Sequence, residues 1–179
     1  MRLAPLFLIV LLAACGNDAP ERTGGTGAGA CEDPANITYR TDARLQFVRA
    51  DGTSIKEIGV EIADTDSTIE RGLMDRRCYP DDWGMLFVFP NAQQRTFYMQ
   101  NTPRSLDILF FGPDSTLLNA AKFAEPFSPA VLPSAGPAQY VVEVPAGFTD
   151  LNGVNQGDRI TWGAAAASAP APVDTLAEG

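Results

Sequence analysis

Gly84-Met85-Leu86-Phe87-Val88-Phe89 is an unbroken apolar run, closed by Pro90-Asn91. A short apolar run rich in aromatic and β-branched residues reads as a strand buried on both faces. Working outward, Ile58, Val60 and Ile62 alternate with Glu57, Gly59 and Glu61, the period of a half-buried strand. Leu45-Gln46-Phe47-Val48 alternates too, and Asp51-Gly52 between the two segments signals a tight hairpin. Ser67-Thr68-Ile69-Glu70 fits a capping box and predicts a short helix over residues 67–73. Downstream, residues 95–99, 106–111, 117–123, 140–144 and 158–162 read as further strands. Gly112-Pro113-Asp114-Ser115 is a turn, and residues 147–155 form a short helix or turn. Short strands without regular helical crossovers predict a mainly β fold, a compact antiparallel sandwich or small barrel with one or two short helices.

At 179 residues the chain is one domain with appendages. Thirteen basic residues against 22 acidic ones give a net charge of −9, which argues against nucleic acid, whose phosphates require a basic surface. The same balance argues against docking on anionic lipid through a polybasic patch. There is no histidine, so the commonest general base and metal ligand are missing.

Arg2 precedes an apolar run over residues 3–12, too short for the roughly 20 residues of a membrane-spanning helix. It reads as a secretory signal. Leu12-Ala13-Ala14-Cys15 resembles the bacterial lipobox, so Cys15 is expected to be acylated and to hold the chain at a membrane of the cell envelope. Residues 16–39, with Gly24, Gly25, Gly27 and Gly29, read as a flexible tether. Residues 164–179 are Ala/Pro-rich and are expected to be disordered. The folded domain is then residues 40–163. Cys31 and Cys78 remain for a disulfide in an oxidising compartment.

Glu61-Ile62-Ala63-Asp64-Thr65, Arg71-Gly72-Leu73-Met74-Asp75-Arg76 and the 84–89 run appear in order, followed by Phe97-Tyr98-Met99-Gln100-Asn101-Thr102, Leu106-Asp107-Ile108 and the 140–147 segment. This series resembles the prokaryotic family called domain of unknown function 192 (DUF192, UPF0127) over about residues 60–160. The resemblance implies a compact, mainly β domain that is often exported, and no activity. Cys78 stands where the family pattern implies an aliphatic residue, and Tyr98 where it implies tryptophan.

Among these motifs Arg71, Arg76, Asn101, Thr102 and Asp107 form a polar set. An arginine of the set could grip an anionic group in a polar cleft, or pair with Asp107 to fix the helix on the sheet. Without His no Ser-His or Cys-His arrangement is available. Glu61, Asp107 and Glu143 are the strand carboxylates that a hydrolase would need to pair. Met74, Met85, Met99 and Cys78 could serve a soft metal such as Cu(I), although methionine is also a common core filler. Calcium-loop and phosphate-loop motifs are absent, so no metal and no cofactor is expected. Trp83, Tyr79 and Phe127 are candidates for an exposed aromatic patch. The residues favour a non-catalytic binding module for cell-wall or polysaccharide material, or for an envelope protein, over a carboxylate-dependent hydrolase or a copper handler.

Overall fold

The computed structural model describes residues 39–165. The leader with Cys15, the tether up to residue 38 with Cys31, and the tail from residue 166 therefore lie outside the described residues, as does any bridge to Cys31; Ala164, expected to open the disordered tail, is instead the last residue of a strand. The strands are β1 (Ala43–Val48), β2 (Ser54–Ala63), β3 (Trp83–Phe97), β4 (Leu106–Phe111), β5 (Leu117–Ala124), β6 (Leu132–Pro145) and β7 (Arg159–Ala164). Two short helices, α1 (Asp66–Arg71) and α2 (Phe148–Asn152), complete the order. The mainly β expectation holds. All seven strands form one curled sheet, a half-barrel in the order β5-β4-β6-β3-β2-β1-β7.

The pleat sends alternate residues to opposite faces, and both faces are covered. Leu45, Phe47, Val60, Leu86, Leu109, Phe111, Val142 and Val144 pack together on one face. Met85, Phe87, Ile108, Phe110 and Val141 point to the other, where Leu73 and Met99 from the connecting segments join them. Each fully buried Phe or Leu stabilises by roughly 1.5–3 kcal/mol. This double burial explains why the 84–89 run shows no alternation.

Every strand pair is antiparallel except β2 with β3. Parallel neighbours need a long connection between them. Here it is α1 and residues 72–82, which pass over the second face. The helix starts two residues before the predicted box: Thr65 is the N-cap, and its side chain and that of Thr68 cap each other's backbone N–H.

Two predictions of where strands stop need correcting. Pro90 does not end a strand, because β3 runs on to Phe97. The ladder to β6 is interrupted between Val88 and Gln93, so the missing N–H of Pro90 falls where no ladder bond is required. Likewise β6 begins at Leu132, eight residues before the predicted start at Tyr140, despite Pro133 and Pro137.

Candidate functional site

The three strand carboxylates meet different fates. Glu61, 3% exposed, accepts two hydrogen bonds from the Arg76 guanidinium, at 2.8 and 3.0 Å. Arg40 adds a backbone N–H at 3.1 Å and a guanidinium contact at 3.3 Å. Asp107 is fully buried, and its oxygens accept the backbone N–H groups of Phe123, Gly147 and Thr149 at 2.9, 3.2 and 2.9 Å. Both acids thus tie the chain together. Arg71 and Asp107 are not brought together, and the ion pair in this region is Arg76 with Glu61.

Glu143 is the exception. Its position in β6 sets it between Met85 of β3 and Ile108 of β4, on the face of the second core. Its Oε2 is buried and, among the described residues, has no hydrogen-bond partner. Desolvation pushes its pKa up to about 8, so the carboxyl is mostly protonated at neutral pH.

That carboxyl lies against a cavity of about 330 Å³ beneath α1. Gly72, at φ 48°, forms part of the wall, and a Cβ there would lie 3.3 Å from Phe87 and 3.7 Å from Glu143 Oε2. Any other residue would be strained and would crowd the acid. Phe87, Phe89 and Phe97 supply apolar walls, with the Phe87 and Phe97 rings edge to face at 5.0 Å. Glu70, Arg71, Arg95 and Tyr98 are the remaining titratable or charged groups lining the space. Arg95 is already engaged: its guanidinium sits 3.7 Å over the Phe89 ring and bonds to the carbonyl and side-chain oxygens of Asn91. Burial lowers the Arg95 pKa. Arg71, exposed at the last turn of α1, has no ion pair among the described residues.

Of the expected polar set, Arg71 and Thr102 line this cavity. Asn101 lines a neighbouring cleft, and Arg76 and Asp107 are structural. Met85 and Met99 are core residues, while Met74 touches the cavity. Trp83 is 2% exposed, its indole N–H bonded to the Arg40 carbonyl at 2.8 Å, and the Tyr79 ring packs against it, tilted by 49° at 5.2 Å. Phe127 alone of the three candidate patch aromatics is exposed. In the sequence Glu143 is one of three strand acids with nothing in its spacing to set it apart. Its place within the apolar run Val141-Val142-Glu143-Val144 was the available signal of a buried acid. The rim amides Gln93 and Gln94 carried no comparable signal.

The DUF192 family model, described as an uncharacterised ACR, matches residues 47–162. A UPF0127 protein of Pyrococcus furiosus is 30% identical over 122 residues, spanning 62% of this chain and 93% of the relative. A Sinorhizobium meliloti 1021 protein provisionally called a transcription regulator superposes with a TM-score of 0.65 at 36% identity, covering 70% of this chain and 96% of that one. A protein of unknown function from Novosphingobium aromaticivorans DSM 12444 gives 0.63 at 33% identity, covering 66% and 84%.

Proposed function

The chain belongs to the uncharacterised DUF192 family, and from its cavity we propose a binding module for small, ring-containing organic acids, such as the acidic sugars of envelope polymers. The observation that carries this reading is Glu143, whose buried Oε2 has no partner among the described residues and whose side chain lines a cavity large enough for a small ligand. A buried polar atom without a partner costs stability, and a ligand hydroxyl or carbonyl would supply the missing bond. Protonated, Glu143 both donates and accepts. Arg71 offers a free guanidinium fork for a ligand carboxylate, and the phenylalanine walls suit the apolar face of a ring.

Isothermal titration of the full chain with N-acetylmuramic acid and with N-acetylglucosamine tests this, since the sugars differ by one lactyl carboxylate. The acid binds at least tenfold more tightly, and Arg71→Ala removes that preference. Equal or absent binding of the two would end the reading. If the disaccharide N-acetylglucosaminyl-N-acetylmuramic acid were instead converted over hours to its two monosaccharides, one water being consumed per glycosidic bond broken, the reading would become acid-catalysed hydrolysis, with Glu143 donating a proton to the leaving oxygen and Glu70 as the second carboxylate of the cavity.

The domain is displayed at the envelope through an acylated Cys15, a reading supported by the lipobox-like sequence. A Cys31–Cys78 bridge stabilises it there, by about 4 kcal/mol for a loop of this length.

A further inference from the structure

We propose that the cleft between Tyr98 and Phe127 is a second subsite that takes an uncharged sugar ring, so that the complete ligand is an acidic oligosaccharide rather than a single sugar. This rests on the reading of the first cavity. The cleft encloses about 400 Å³ between Tyr98, Gln100, Asn101, Phe127 and Pro129. Tyr98 lines both spaces, so a ligand unit seated under α1 has its neighbour beside the second.

The lining sets the chemistry. It holds two aromatic rings, two carboxamides and a proline, and no charged group. Aromatic faces stack on the C–H faces of a pyranose, and carboxamides both donate to and accept from its hydroxyls. A carboxylate would find no cation here, whereas Arg71 lines the first cavity. The subsites therefore divide a mixed polymer between them.

Both rings are exposed, and the Phe127 ring stands on an unusual backbone. Tyr98 is 47% and Phe127 59% exposed. Phe127 has φ 60° and Asn101 φ 53°, a left-handed conformation that is rare for a bulky aromatic. Three backbone bonds impose it: Phe127 N–H to the Thr102 carbonyl at 3.2 Å, Met99 N–H to Ser128 at 3.1 Å, and Asp75 N–H to Asn101 at 2.7 Å. Strain that the surroundings enforce is a feature of ligand clamps.

The test titrates the full chain with N-acetylmuramic acid and with the disaccharide N-acetylglucosaminyl-N-acetylmuramic acid. The disaccharide is expected to bind at least tenfold more tightly. Phe127→Ala and Phe127→Leu bring that ratio down to about one, while Phe127→Tyr keeps it. A ratio of one in the unmodified chain, or one that survives Phe127→Leu, overturns the second subsite and leaves the first standing. Absence of binding by either sugar overturns both. A concentration-dependent dimer abolished by Phe127→Ala, without any disaccharide preference, would assign the cleft to self-association and also overturn the proposal.

Discussion

Glu143 makes the fold itself sensitive to pH. Its carboxyl, ordinarily near 4.5, is raised to about 8 by burial, so the folded chain holds a proton that the unfolded chain releases. The stabilisation is complete below the ordinary value, declines between the two and is gone once pH passes about 8. The slope is about 1.4 kcal/mol per pH unit. Thermal unfolding followed by circular dichroism between pH 5 and 8 should show the melting temperature falling for the native chain. Glu143→Gln lacks that decline, so its advantage grows with pH; parallel curves would refute the assignment. The proposed binding of an acidic ligand should weaken in the same direction, because an ionised Glu143 repels a carboxylate. Glu61, Asp107 and Glu143 look alike in sequence as acids within apolar strands. Their partners separate them, and those partners come from segments 15 to 42 residues away.

At the level of elements, the roof of the cavity is pinned by the buried Arg76–Glu61 pair. Arg76→Ala leaves Glu61 with only the outer Arg40 and should destabilise by about 3–5 kcal/mol in chemical unfolding. A double change of Arg76→Met with Glu61→Leu should recover most of it, because no buried charge remains alone. The floor has its own constraint at Gly84, where a Cβ would approach the Glu143 carbonyl oxygen to 2.4 Å. Gly84→Ala should therefore force β3 away from β6, costing about 1–3 kcal/mol and weakening binding through the displaced floor. Most strand segments were legible from alternation and turn residues. The continuity of β3 through residues 90–94 and the outer half of β6 were not, because Pro90, Pro133 and Pro137 speak against a strand locally. The mutual bulges that accommodate them exist only in the pair. The cavity was half legible: Arg71 and Thr102 come from visible motifs, whereas its floor depends on which strands neighbour β6.

For the whole molecule, a chain with net charge −9 should show no retention on DNA at physiological salt, which filter binding checks. Replacing Cys15 with Ser should move the protein from the membrane fraction to the soluble one. Non-reducing mass spectrometry of the mature chain should find Cys31 and Cys78 in one cross-linked peptide. The strand order carries a kinetic consequence. β6 inserts between β3 and β4 and so carries the β4–β5 hairpin on the sheet, while the start of β5 also bonds across to β7, Leu117 N–H to the Asp158 carbonyl at 2.7 Å and Ile160 N–H to the Ser115 carbonyl at 3.1 Å. The ladders β1–β2–β3 and β4–β5 can pair earlier, but they cannot join into one sheet until residues 132–145 have left the ribosome, late in synthesis. Long-range closure of this kind is slow. A nascent chain so wired carries two unjoined strand groups with open edges through most of its elongation, and closes them in one late step.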